Sequence, residues 1–343
     1  MRTKRKKTTL PCAVSEQPAT GFTGPVSAAE SPALYDALRR RVPLIDGAVR
    51  LTVHLCGGFR PVCGDPAMQA ALDAFTLRAR CTDASAGLAG FAAGYLDNLL
   101  TYGTAIGECL YDRRTGELTL HNADVTSIRA ERDERDPTRP VFTTAGGKAV
   151  RPDRCPGLVY AALDPGPGEL TGRSALTGLA GVAGTLLEIF DTVETNWRRC
   201  GDVRYAVTYR PGDAVVDAED AAKRIADAWS GAMRDRSRVR DFVAVGDVNV
   251  SPIGSADALP DPTRTVRMLI EQITAKLGVP PFLLGLGWTT SERMADRQTE
   301  IFTRRLAHYR KLIEPALLHV CRTFLRLRMS DADVTIQWEP IAV

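Results

Sequence analysis

The chain has 343 residues, of which 44% are apolar and 25% charged, an ordinary composition for a globular protein long enough to form two or more compact units. No apolar run reaches the ~18–20 residues of a membrane span, and the basic start from Met1 to Lys7 leads into no apolar segment of the kind a secretory signal needs, so a cytosolic protein is expected. The formal charge of +3 is uneven: five of the 44 basic residues are Arg2, Lys4, Arg5, Lys6 and Lys7, leaving 39 basic against 41 acidic residues in the body. A protein that grips DNA statically is strongly basic, because each neutralised phosphate adds salt-sensitive affinity. This body either avoids nucleic acid or touches it without holding on.

Residues 1–30 are rich in Lys, Thr, Pro, Ser and Gly without periodicity and read as a flexible basic arm, either a solvated tail or a nonspecific contact with nucleic acid or an acidic partner. Ser31 and Pro32 then open a helix with a cap and a first-turn proline, continuing through Leu34, Leu38 and Arg39 to Arg41. Further helices are expected over Leu44 to Leu55, Pro66 to Arg80 and Ala84 to Leu100, the last with Leu88, Phe91, Tyr95 and Leu99 on one face. The period then changes to two. Thr104 to Tyr111, the turn Asp112 to Gly116, and Glu117 to His121 read as a hairpin, and Val125 to Ala130, Val141 to Thr144 and Leu158 to Leu163 as short strands.

From Ser174 to Cys200 the residues Leu176, Leu179, Ala183, Leu186, Phe190, Val193 and Trp197 recur at three and four, a heptad-like seam on one long helix. Gly178, Gly181 and Gly184 are read on the same helix. Each costs ~1 kcal/mol in a helix interior, which close approach of a neighbouring helix or chain would offset; a long core helix in a monomer is the other reading. A small module follows: strand Arg204 to Tyr209, helix Ala218 to Met233 capped by Asp217, and strands Phe242 to Val245 and Asn249 to Ile253. Within it Arg234, Arg236, Arg238 and Arg240 alternate, so in extended geometry they share one face, either a solvated edge or a contact for an acidic partner or phosphates.

Asp261 and Pro262 start another helix with Val266, Leu269, Ile270, Ile273 and Leu277 on one side, and Gly278 with Pro280 and Pro281 ends it. The polar loop Leu286 to Arg293 leads into a basic helix from Met294 to Arg328, with Phe302, Leu306, Tyr309, Ile313, Ala316, Val320, Phe324 and Leu327 along one stripe. Pro315 should kink that helix or restart it. A last strand is expected over Val334 to Trp338. The eight cysteines form no CxxC pair and the four histidines show no ligand spacing, so neither metal nor cofactor is expected and the thiols read as reduced and mostly buried. P-loop, GxSxG, HExxH and GxGxxG are all absent, which argues against an enzyme; the nearest catalytic reading is a hydrolase using His54 with Cys56.

Four segments, in this order, resemble tailed-bacteriophage portal proteins over residues 31–330. They are Leu99 to Leu110 (LLTYGTAIGECL) with its Gly-turn hairpin, Gly168 to Leu176 (GELTGRSAL), Ile270 to Gly285 (IEQITAKLGVPPFLLG), and Met294 to Leu317 with Gln298, Phe302 and Leu306 ahead of Ile313. The third is the most specific. The resemblance implies an α+β fold with an α/β wing at 31–170, a first stem helix at 171–200 and a small α/β clip at 201–259. A second stem helix at 260–285, a tunnel loop at 286–293, a long helix at 294–330 and a short terminal strand at 331–343 complete it. The short tail after Arg328 leaves little room for a crown.

By the same resemblance the chain forms a ring, a dodecamer, at one capsid vertex of the virion after assembly in the host cytoplasm. Double-stranded DNA passes through its channel, the terminase large subunit and the head–tail adaptor dock on it, and major capsid protein or scaffold surrounds it; no membrane and no catalysis of its own are involved. The residues expected to face DNA are Trp288, Thr289, Thr290, Ser291, Glu292 and Arg293 of the loop with Lys276 of the stem. Arg234, Arg236, Arg238 and Arg240 are expected at the clip contact, and Gly178, Gly181 and Gly184 at subunit packing. The alternative is a nucleic-acid-binding phage accessory protein that forms no ring and uses the basic arm and the last helix.

Overall fold

The computed structural model describes residues 31–81, 87–133, 136, 139–144, 146–147, 149–201, 204–210, 219–220, 223–224, 226–227, 247–253, 261–287 and 291–341. Helices α1 (Pro32–Arg41) and α2 (Pro43–Leu55) each begin on a proline, whose missing N–H costs nothing in a first turn. The cap expected from the Ser31 hydroxyl does not form; its carbonyl accepts from the Leu34 N–H at 2.8 Å instead. Strand β1 (Phe59–Cys63) was not legible as a strand. In α3 (Pro66–Arg78) the Asp65 carboxylate caps the Ala67 N–H at 2.9 Å. This helix stops short of Arg80, which forms a parallel bridge with Thr119. Helix α4 (Gly87–Tyr102) runs through the middle of the core, with Leu88, Phe91, Tyr95, Leu96 and Leu99 fully buried.

Strands β2 (Thr104–Asp112) and β3 (Glu117–Asn122) form the expected hairpin. Asp112 closes its turn twice, accepting from the Gly116 N–H through its carbonyl and from the Arg114 N–H through its carboxylate, both at 2.8 Å. The strand expected from Val125 begins later: Val125–Ser127 is a short 3-10 turn held by the Asp124 carboxylate, and β4 (Ile128–Arg132) follows. With β5 (Pro140–Thr144), β6 (Ala149–Val150) and β7 (Leu158–Ala162) these build two three-stranded sheets, β3-β2-β7 and β4-β5-β6, whose pairs are antiparallel.

Helix α5 (Leu179–Gly201) leads to the antiparallel pair β8 (Arg204–Arg210) and β9 (Asp247–Ile253). The helix expected over 218–233 lies largely, and the strand over 242–245 wholly, outside the described residues. Helix α6 (Thr263–Leu277) packs against α5, and α7 (Glu292–Leu327) returns to the core as one helix; it does not restart at Pro315. Its stripe is buried from Phe302 to Phe324, but Leu327 is exposed, against expectation.

Strand β10 (Val334–Trp338) pairs antiparallel with β1, joining the two ends of the fold. That junction is fastened by the nearly buried Arg310, which donates to the Cys56 carbonyl at 2.7 Å and the Glu339 carbonyl at 2.8 Å and lies over the Trp338 ring. The architecture is α+β, with one apolar cluster uniting α1 to α4, the first half of α5, part of α6 and most of α7.

Candidate assembly surface

The entry into α5 is clamped to the core by backbone. Gly103 sits at φ 77°, and a Cβ there would lie 2.5 Å from the Arg173 carbonyl carbon and the Gly172 oxygen, so the two segments touch main chain to main chain. Around this contact the Leu163 N–H donates to the Gly103 carbonyl, the Arg173 N–H to the Leu163 carbonyl and the Ala175 N–H to the Leu100 carbonyl, at 2.8, 2.7 and 3.0 Å. The buried Ser174 hydroxyl donates to the Thr101 carbonyl at 2.6 Å and accepts from the Leu176 N–H. The segment Ser174 to Gly178 is therefore used up in fastening, and the helix starts five residues later than its periodicity predicts. Gly178, at φ 85°, precedes the helix rather than lying on it.

The seam of α5 divides. Leu176, Leu179, Ala183 and Leu186 are buried, whereas Phe190 is 47% and Trp197 72% exposed. Phe190, Val193 and Trp197 line a shallow apolar depression together with the exposed Glu194 and Arg198. Glu194 is paired with Arg198 one turn on. Full burial of a large apolar side chain is worth ~1.5–3 kcal/mol, and the described residues do not give it to two of the largest on this helix. Gly181 and Gly184 face the same lack of cover: a Cβ at either would meet nothing within 4 Å. Among the described residues no neighbour explains either glycine.

Helix α6 opens one residue later than expected. The Asp261 carboxylate accepts from the Thr263 N–H at 3.0 Å and from its hydroxyl, which holds Asp261 below the usual carboxylate range. Pro262 occupies the cap position instead of the first turn. The stop is as predicted: Gly278 is left-handed at φ 65°, with its N–H and that of Val279 bonded back to Ala275 and Thr274. The turn Pro281–Leu284 and the left-handed Gly285 then aim the chain toward α7. Met268 and Lys276 are exposed on α6.

The expected loop of 286–293 is shorter than predicted. Ser291 is the residue before α7, its carbonyl accepting from Met294 and Ala295, and Glu292 and Arg293 already lie in the first turn of that helix. Glu292 there suits the positive end of the helix dipole. Ser291, Glu292 and Arg293 are all exposed; Trp288, Thr289 and Thr290 lie outside the described residues, as do Arg234, Arg236, Arg238 and Arg240. The exposed Glu300 bridges Arg297 and Arg304 on the next turns.

Elsewhere the residues weighed for chemistry do not converge. Cys56 is buried, and desolvation pushes its thiol up to about 12, as it does for Cys109 and Cys321. His54 is exposed, and it meets Cys56 only through the backbone at the end of α2. Among the described residues no three His, Cys, Asp or Glu side chains cluster as metal ligands, and no helix is long and apolar enough to cross a membrane. The feature that periodicity alone could not show is the bare half of α5, because spacing identifies an apolar face without saying what covers it.

No family model and no curated protein matches the sequence. Solved structures do. A chain in the neck of the empty gene transfer agent particle, computed with C6 symmetry, superposes at TM-score 0.63 and 16% identity over 94% of this chain and 87% of its own. One in the neck of the native particle, computed with C12 symmetry, gives 0.58 and 16% over 90% and 84%. A crystal structure of an HK97 family phage portal protein from Corynebacterium diphtheriae aligns at TM-score 0.44 and 16% identity over 90% and 94%.

Proposed function

We propose that this chain, whose fold is of the portal type, works as one subunit of a ring at a capsid vertex, through which double-stranded DNA enters and leaves. The observation that carries the reading is the division of α5: an apolar seam that is buried at one end of a helix and bare at the other is half of a contact. A closed ring is built from heterologous contacts, so each subunit needs two different adhesive faces. The bare half of α5, with Gly181 and Gly184 open to close approach, supplies one. The fold shared with chains of a particle neck, computed with C6 symmetry in one case and C12 in another, supports a ring; twelve subunits is the number compatible with both.

In such a ring the near-neutral body is an advantage. DNA must slide, and several tight phosphate ion pairs per subunit would hold it in place. The exposed Lys276, Ser291, Glu292 and Arg293, with Trp288, Thr289 and Thr290 between them in sequence, are assigned to the channel lining, where a ring repeats a weak contact around one axis. Arg234, Arg236, Arg238 and Arg240 are assigned to the clip, where the terminase large subunit and later the head–tail adaptor dock. The outer α/β body is the part that meets major capsid protein or scaffold. The ring is a conduit without catalysis of its own. Electron microscopy of the purified protein tests the reading: rings with a central hole are expected, and particles of monomer size only, under assembly-like conditions, would overturn it.

A further inference from the structure

Where α3, the β2–β3 hairpin and the end of α7 meet, the body carries a second uncovered apolar feature, far along the fold from the bare half of α5. It is a groove of about 420 Å³. Its floor is Phe75 stacked on Phe324, their ring centroids 4.2 Å apart, with Leu118 and Leu327 beside them. Tyr111 of β2 stands half-exposed on its wall, and the sequence neighbours of two of its lining arginines, Leu77 on α3 (76% exposed) and Met329 just past α7 (97%), are apolar and bare as well. Met329 is held at φ 58°, in the left-handed region that a side chain of this size seldom adopts, so the chain there keeps an apolar side chain outward at some conformational cost.

The rim is basic. Arg78, Arg80 and Arg328 line the groove against one acidic residue, Glu117. Arg78 and Arg328 have no ion-pair partner among the described residues, and the Arg328 guanidinium lies 4.8 Å from the centre of the Phe324 ring. Nearby Arg322 and Arg326 are matched by Asp333 and Asp331, so the charge left over is concentrated at the groove itself. An apolar floor has no use for a phosphate, and its two rings are buried, stacked on each other with Arg328 over Phe324, which leaves little ring surface for a base.

We propose that this groove docks an acidic segment of another polypeptide, inserting one or two bulky apolar side chains between the arginines. Charge complementarity selects the acidic flanks, and the desolvated floor supplies the anchor. A groove this small suits a short segment that can bend into it better than the straight 23-residue α5 of a second copy, although that helix is also acidic and apolar.

The test is selection of a random peptide library on the full-length protein, followed by affinity measurement against Arg78→Glu/Arg328→Glu and against Tyr111→Ser. All three positions are exposed, so thermal unfolding of the variants should match that of the parent. The expected peptides carry Asp or Glu around a Trp, Phe or Leu, weaken with salt, and lose about tenfold or more in affinity to the double arginine variant. Peptides that are neutral or basic, peptides that bind the variants equally well, or no enrichment at all would overturn the proposal. So would competition by duplex DNA, or loss of oligomers in the variants, which would identify nucleic acid or a second copy as the occupant.

Discussion

Along α5 the first turns and the last turns carry large apolar residues at the same three-and-four spacing, yet Leu179, Ala183 and Leu186 are buried while Phe190 and Trp197 stand in solvent. The difference lies in what surrounds each half. The first half rises from a clamp of main-chain bonds between Gly103, Leu163 and Arg173 and lies against the core shared by α4, α6 and α7. The second half has outrun that core on its way to β8. Among the described residues nothing buries Phe190 or Trp197, and nothing lies within 4 Å of a Cβ added at Gly181 or Gly184; the proposed ring would supply that cover.

The largest expected effects separate the two halves directly. Leu186→Ala should lower stability by about 2–5 kcal/mol, measured by urea unfolding of the monomeric form, because it opens a cavity in a packed site. Trp197→Ser should leave the same measurement within about 0.5 kcal/mol of the parent. If Trp197→Ser costs the monomer as much as Leu186→Ala, the two halves are not different and the reading of the seam is wrong.

The clamp offers the next effects. Gly103→Ala forces a Cβ against the Gly172 backbone at a positive φ and should cost about 1–3 kcal/mol or block folding outright. Ser174→Ala removes a hydroxyl that bonds twice while buried and should cost about 1–3 kcal/mol, leaving the Thr101 carbonyl unmatched. Thermal unfolding of either variant checks both. An unchanged midpoint would show that the clamp does not position α5.

Charge gives the smallest effects, and they separate the core helices from the bare half of α5 in the same way. Burial alone would raise Asp46, but the hydrogen bond and charge of Arg39, with Arg50 beside it, hold its carboxyl below the usual range. A carboxylate depressed in the folded state stabilises at pH values above its unfolded pKa of about 4, and this contribution is lost as pH falls through the lower folded value. Asp46→Asn should therefore reduce stability at neutral pH and flatten its fall on acidification. Glu194→Gln, which breaks only an exposed pair on α5, should change stability by about 0.5 kcal/mol or less at any pH.

Much of the fold was readable because its signals are local. The hairpin declares itself by the Asp112–Gly116 turn, the end of α6 by Gly278 and two prolines, and the core stripe of α7 by its period. What escaped depends on distant partners. Strand β1 is five residues long with Pro61 inside it, and it is a strand only because β10 pairs with it from the other end of the chain. The late start of α5 is set by the clamp, not by its apolar spacing, and the early start of α7 turns two residues expected in a loop, Glu292 and Arg293, into helix. The candidate surface was legible as a face and illegible as an interface, since Phe190 and Trp197 keep the same period whether they are covered or bare.

The proposed ring closes through the bare half of α5. Mass photometry with electron microscopy of the parent and of Phe190→Ser/Trp197→Ser measures it most directly. Parent rings with a central hole, and a folded double variant that remains monomeric at the same concentration, are the predicted result. A parent that stays monomeric, or a double variant that forms the same rings in the same yield, would contradict it.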